Sequence, residues 1–332
     1  MIESAVAEDF KIKLREWKRL IDERLFQVLN TKKPPILYEP ITYILESGGK
    51  RIRPILLILS CKAVGGNVED CLDAAVAVEL LHNFTLVHDD IMDQDDTRRG
   101  RPTVHKKWDT DVALLAGDGL VALAYQSLLR TNSLRINEIT TNFTNAIVEL
   151  CEGQALDREF ESLRGIRLFD YLNMIEKKTA RLLNISAKIG AIIGGGDDSE
   201  IDALGKFGLN LGLAFQIQDD LLDITSDEVT LGKTFGSDVM RRKQTFLLVH
   251  ALSHADFETK RKINFLLSES SINKPQIIEI TSLFEKIGSI EAAKSAIGNY
   301  LTSAQKNIDE LKATFTKDDL SSFLNYISNR NA

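Results

Sequence analysis

The chain has 332 residues, 44% of them hydrophobic and 27% charged, which is enough to bury a sizeable core beneath an ordinary charged surface. Six prolines and 7% aromatics argue against an all-β barrel or sandwich, and a formal net charge of −7 argues against general attraction to nucleic acid or an anionic membrane. Cys61, Cys71 and Cys151 show no C-x-x-C spacing, which fits a reducing cytoplasm and argues against a disulfide framework or a cysteine zinc site.

The start MIESAVAEDFKIK has no basic stretch followed by an apolar one, so no secretory signal is expected. No run reaches the ~18 apolar residues that a bilayer span needs, so stable membrane insertion is not expected either. From Glu8 to Leu29 apolar residues recur at three- and four-residue steps, as in an amphipathic helix that Pro34 and Pro35 break. A short helix around Ile41–Leu45 follows, then Gly48-Gly49, then a helix over Ile55–Ala63 with Pro54 in its first turn. The next apolar helix, about Cys71–Asp93, runs into a charged loop at Asp95–Arg101. Further helical patterns cover Asp111–Arg130, Ile136–Phe160, Phe169–Ile193, Ser199–Ile224, Arg242–His254, Glu258–Glu269, Lys274–Ile287, Ile290–Leu311 and Lys317–Ile327. No convincing strand set and no low-complexity linker appears. The expectation is one all-α domain over residues 1–332, a large helical bundle with central helices such as Leu204–Leu222 apolar on most faces.

Two acidic constellations stand out. In HDDIMDQDDTRRGRPTVH, Asp89 and Asp93 are four residues apart, so on a helix both carboxylates share a face with Asp90 beside them. Clustered acids raise one another's pKa values unless a cation neutralises them, and an all-oxygen donor set suits a hard one. Arg98 and Arg99 follow in the adjoining loop, where guanidinium forks match phosphate oxygens. Taken alone, this stretch also fits a solvated acidic helix end before a basic loop. The second constellation, FQIQDDLLD, repeats the spacing with Asp219, Asp220 and Asp223 in strongly apolar flanks, where unpaired carboxylates are costly and metal coordination is the economical account.

Basic residues complete the pattern. GGKRIRP puts Lys50 and Arg53 at a helix start, where free N–H groups and the dipole favour an anion. Lys178 and Thr179 lie on a helix face, where a lysine is more often simply solvated. Lys233 and Lys243 flank the Gly236-Ser237-Asp238 turn and can close over a phosphate, or equally belong to a solvated loop.

HDDIMD-x-x-x-x-RRG-x-PT and FQIQDDLLD, with GGKRIRP upstream and GK-x-x-GSD downstream, resemble the trans-isoprenyl diphosphate synthase (polyprenyl synthetase) family, with motifs matched from about Gly48 to Thr245. The resemblance implies a helical bundle with a central cavity and a prenyltransferase that joins isopentenyl diphosphate to an allylic diphosphate (dimethylallyl, geranyl or farnesyl). It implies Mg²⁺ held mainly by Asp89, Asp93 and Asp219, with Asp90, Asp220 and Asp223 in support. It places Lys50, Arg53, His82 and Arg99 at the isopentenyl diphosphate site, although His82 on its own reads as a structural histidine. Arg98, Lys178, Thr179, Gln216, Lys233 and Lys243 are placed at the allylic site, with Lys178 counted among the catalytic residues. One departure is Arg242, which stands where the family usually has glycine before Lys243. Phe84, five residues before Asp89, with Thr85 beside it, resembles the geranylgeranyl diphosphate type and would form the floor of the chain-length pocket. The resemblance suggests a homodimer as well, and the cysteine usage places the expectation in the cytoplasm. The rival expectations are a farnesyl or longer-chain synthase, another enzyme of the same fold such as a terpene cyclase, and a noncatalytic partner subunit of a heteromeric synthase.

Overall fold

The three- and four-residue apolar steps become helices almost throughout the computed structural model, which describes residues 2–29, 33–163, 165–225, 235–269, 272–312 and 317–328. The first helices are α1 (Ile2–Leu29), α2 (Pro35–Glu46), α3 (Ile52–Ala63) and α4 (Val68–Met92). A hairpin of β1 (Thr97–Arg98) and β2 (Arg101–Pro102) leads into α5 (Val104–Lys107), α6 (Thr110–Leu128) and α7 (Ile136–Phe160). Then come α8 (Leu168–Ile175), a π-helical turn (Glu176–Ala180), α9 (Arg181–Ile193) and α10 (Asp198–Thr225). The remaining described helices are α11 (Ser237–Met240), α12 (Phe246–His254), α13 (Phe257–Ser268), α14 (Lys274–Ile287), α15 (Ser289–Asp309) and α16 (Lys317–Ser328). The all-α expectation holds.

Side chains fix several of the helix starts. Asp109, Asp256 and Asn273 accept hydrogen bonds from the backbone N–H groups of Val112 (2.7 Å), Thr259 (2.8 Å) and Gln276 (3.1 Å), each satisfying a donor that the helix leaves open. Several boundaries differ from the periodic pattern, three of them for a physical reason that the structure shows. The second helix begins at Pro35 rather than Ile41, because a proline in the first turn loses no hydrogen bond. The hairpin was not expected, since two-residue strands carry no alternation to read. The helix expected from Arg242 begins at Phe246 instead, because Arg242 takes a left-handed conformation (φ 56°) that no α-helix accommodates.

The chain divides into two compact units. The first comprises Met1–Thr144, Ile185–Gly205 and Ile308–Ser322. Its centre is α4, which packs on α1, α3 and α6. Leu56, Leu57, Val76, Val78, Leu80 and Leu81 are all fully buried there, each contributing about 1.5–3 kcal/mol of apolar transfer. Helix α4 therefore shows little amphipathic contrast and ends where its acids begin. The second unit comprises Asn145–Asn184, Lys206–Asn307 and Phe323–Ala332. Its core joins Tyr171, Ile217, Phe246, Ile263, Ile280 and Phe284, with α12 packed against α8 and α14.

Candidate active site

In the first unit the C-terminal turn of α4 carries Asp89, Asp90 and Asp93, with the Asp93 N–H closing on the Asp89 carbonyl at 2.8 Å. Asp90 is buried. Its Oδ1 accepts from Arg98 Nε and Nη2, both at 2.6 Å, while its Oδ2 is buried with no hydrogen-bond partner. Burial raises the Asp90 pKa, Arg98 opposes that rise, and Asp95 and Asp93 add to it. The hairpin brings Arg98 back onto α4, helped by Thr103, whose hydroxyl donates to the Asp95 carbonyl at 2.6 Å.

One to three turns earlier on α4 lie the groups facing the GGKRIRP loop. Arg51 is buried in a left-handed conformation (φ 52°), bonded to Asp22 of α1 at 2.8 Å and to the buried Glu79 at 2.6 Å. It also donates to the Leu45 carbonyl at 3.2 Å, so it anchors the loop instead of facing a ligand. Arg53 turns the other way and donates from Nη1 to His82 Nε2 at 3.3 Å, which leaves the His82 proton on Nδ1 because a guanidinium cannot accept. Arg99, itself left-handed (φ 53°), donates to Ser47 Oγ at 3.2 Å and to the Gly48 carbonyl. Gly49 takes φ 144°, which strains any residue with a side chain, and a Cβ there would crowd that guanidinium at 3.1 Å. Burial, then Arg53, Arg99, Arg98 and Arg51 in turn, hold His82 well below its usual pKa and therefore neutral. Arg99 is also lowered, by burial first and then by Arg51 and Arg98 against the opposing pull of Glu79. Such a concentration of cations, offset chiefly by Glu79 and Asp22, favours an anion. Lys50 is exposed at its edge.

In the second unit the π-helical turn carries Lys178 and Thr179. Lys178 Nζ meets Asp157 Oδ2 at 2.5 Å, and Thr179 Oγ1 donates to Gln216 Oε1 at 2.9 Å. Gln216 Nε2 in turn donates to Asp220 Oδ1 at 3.0 Å. The other Asp220 oxygen accepts from the Tyr171 hydroxyl (2.7 Å) and the Phe246 N–H (2.9 Å). Burial, then the charge of Asp238, pushes the Asp220 pKa up to about 7. Asp223 accepts from Ser237 Oγ (2.7 Å) and the Asp238 N–H (3.1 Å), pinning the start of α11. Asp219 is the exposed member of this cluster.

A sequence profile described as Polyprenyl synthetase matches residues 34–284. The chain belongs to this family. It is 38% identical to the geranylgeranyl diphosphate synthase of Methanosarcina mazei, over 93% of this chain and 94% of that one. It is 36% identical to the geranylfarnesyl diphosphate synthase of Natronomonas pharaonis, over 97% of each. Among solved structures, the geranylgeranyl pyrophosphate synthetase of Pyrococcus horikoshii superposes with a TM-score of 0.92 at 38% identity, covering 97% of this chain and 99% of that one.

Within this polyprenyl synthetase the structure brings together Arg53, His82 and Arg99 in one unit and Lys178, Thr179, Gln216 and Asp220 in the other. Lys233 lies outside the described residues. Lys243 follows the left-handed Arg242, whose side chain donates to the Leu267 and Glu269 carbonyls at 2.7 and 2.6 Å; the family's glycine takes that conformation without strain, and arginine holds it by bonds. Among the described residues no three His, Cys, Asp or Glu side chains converge on one point. That is compatible with Mg²⁺, which takes one or two carboxylates and completes its octahedron with phosphate oxygens and water. The unpartnered buried oxygen of Asp90, beside Asp89 and Asp93, fits the same ion. Arg51, Glu79, Asp157 and Tyr171 escaped the sequence reading. A signal existed for Glu79, a charge flanked by apolar residues in AVAVELLH, which requires a buried partner.

Proposed function

We propose that the chain is a Mg²⁺-dependent prenyltransferase that condenses isopentenyl diphosphate with dimethylallyl, geranyl and farnesyl diphosphates, and that its main product is geranylgeranyl diphosphate. The observation that carries this reading is the neutral His82 set among Arg51, Arg53, Arg98 and Arg99 on the same helix as the Asp89, Asp90 and Asp93 cluster. A diphosphate is the anion that such a pocket and such an oxygen donor set suit together.

In this reading Arg53, His82, Arg99 and Lys50 hold isopentenyl diphosphate, while Lys178 and Lys243, with Lys233 and Arg98, hold the allylic diphosphate. Asp89, Asp93 and Asp219 carry the metal, with Asp90, Asp220 and Asp223 supporting. Bound Mg²⁺ would supply Lewis-acid neutralisation of the charge on the departing diphosphate. Cleavage of the allylic C–O bond leaves a carbocation that Thr179 and Gln216 flank with oxygens. The isopentenyl double bond supplies the electron pair for the new C–C bond, and the released diphosphate takes the proton that is lost. Both units serve this one reaction, as one catalytic domain. The chain works as a homodimer in the cytoplasm without membrane insertion; the support is the family resemblance, together with the fact that no described helix is long and apolar enough to cross a membrane.

Incubating the chain alone with Mg²⁺, labelled isopentenyl diphosphate and each allylic starter, with mass analysis of products, tests the reading. A twenty-carbon product is expected. A twenty-five-carbon product would favour the second reading, a geranylfarnesyl synthase, which the Natronomonas pharaonis relative raises. No condensation at all would identify a noncatalytic subunit.

A further inference from the structure

Two of the chain's five histidines, neither of them assigned above to substrate or metal, stand one turn apart on α12. The rings of His250 and His254 stack with centroids 4.0 Å apart and planes 14° from parallel. His254 Nδ1 lies 2.9 Å from the carbonyl oxygen of His250, which can only accept, so this nitrogen carries the proton and Nε2 keeps its lone pair. His250 Nδ1 lies 3.0 Å from Ser289 Oγ, a hydroxyl able to accept from an Nδ1–H and so to favour the same tautomer, or to donate to a bare Nδ1. Among the described residues neither Nε2 has a hydrogen-bond partner. His254 is exposed and His250 half-buried.

An imidazole whose Nδ1–H is tied to a backbone carbonyl or hydroxyl, with Nε2 left bare, is the form in which histidine ligates metals. Histidines at i and i+4 present two such nitrogens on one face of a helix. We propose that His250 and His254 form a two-imidazole site for a borderline first-row divalent ion, Zn²⁺, Ni²⁺ or Cu²⁺, with water completing the coordination. Ligand chemistry separates this site from the acidic clusters, because imidazole suits these ions whereas Mg²⁺ seeks oxygen. In the stacked arrangement the two lone pairs lie in nearly parallel planes, so binding one ion at metal–nitrogen distances of about 2.0–2.1 Å requires the rings to leave the stack and turn toward each other. Burial and then the neighbouring His254 lower the His250 pKa, which keeps that lone pair available at neutral pH.

The site sits at one end of a helix whose other end donates the Phe246 N–H to Asp220. Rings connect the two ends: Tyr171 edge-on to Phe246 at 6.1 Å, Phe246 stacked on His250 at 6.1 Å, and His250 on His254. An ion held by the histidines therefore steadies α12 as a whole, and amide hydrogen exchange along Phe246–His254 should slow when it binds.

The test uses the full chain in excess Mg²⁺, so that the carboxylate clusters are occupied. Titration with Cu²⁺, followed by electron paramagnetic resonance, should show one equivalent bound with hyperfine coupling from two imidazole nitrogens. H254A should weaken Cu²⁺ and Zn²⁺ binding by about tenfold or more without lowering the melting temperature of the metal-free protein, and C151S should change nothing. Binding undiminished in H254A, or coupling from fewer than two nitrogens in the wild type, would overturn the site.

Discussion

Arg51 and Arg53 are two positions apart and do opposite things. Arg51 is neutralised by Asp22 and Glu79 inside the protein, whereas Arg53 reaches His82 at the edge of a cationic pocket. The sequence places both in one motif and does not separate them, because the left-handed turn at Arg51 that sends them apart is a property of the folded backbone. If Arg53 anchors isopentenyl diphosphate and Lys178 the allylic substrate, R53A should raise KM for the first and K178A for the second. Each loss should be worth about 2–5 kcal/mol, the usual cost of truncating a desolvated charge contact, and steady-state kinetics with each substrate varied in turn would show it. A rise for the same substrate in both variants would refute the division. His82 supplies a pH prediction. Its folded pKa is depressed while its unfolded value is about 6.5, so below that pH the unfolded chain takes up a proton that the folded one refuses. Stability should therefore fall as pH drops below about 6.5, and the H82Q protein should show a shallower fall in denaturant titrations between pH 7 and 5.

At the scale of elements, the π-helical turn and α4 decide most. Nothing in EKKTA distinguishes a π-turn from an α-turn, since the extra residue is accommodated by the neighbours: a Cβ on Gly153 of α7 would lie 2.4 Å from the Lys178 backbone nitrogen. G153A should cost about 1–3 kcal/mol of stability and displace Lys178, raising KM for the allylic substrate while leaving that for isopentenyl diphosphate near its original value. Thermal melts and kinetics on the same preparation would check both. Helix α4 was far more legible, because a long apolar run ending in acids leaves few alternatives. Its half-buried Phe84 lies edge-on to His88, with ring centroids 4.7 Å apart. F84A touches no group assigned to metal or diphosphate, so it should lengthen the product and preserve turnover. Unchanged length in active enzyme would place the floor deeper, at Leu81 or Val78.

At the scale of the whole molecule, helix content, the two acidic clusters and their accompanying cations were readable because each rests on local spacing. The partners of those residues were not, since Arg51–Asp22 and Asp220–Tyr171 join positions far apart in sequence. Asp89 and Asp219 belong to different units. D89A and D219A should each reduce turnover by several orders of magnitude with unchanged circular dichroism, each factor of ten corresponding to about 1.4 kcal/mol in the barrier. Near-normal turnover in either variant would show that one cluster suffices.

The Asp22–Arg51 contact also sets a limit on how far the protein can be trimmed. The family profile begins at residue 34, and α1 ahead of it carries none of the motifs, so expression of residues 34–284 alone would look like a sensible minimal enzyme. Without α1, the Arg51 guanidinium loses one of its two carboxylates and its cover from solvent, and the loop bearing Gly49, Lys50 and Arg53 loses its tether to the N-terminal helix. Such a fragment should retain every signature residue and bind isopentenyl diphosphate poorly, a defect that adding back a detached segment would not readily repair.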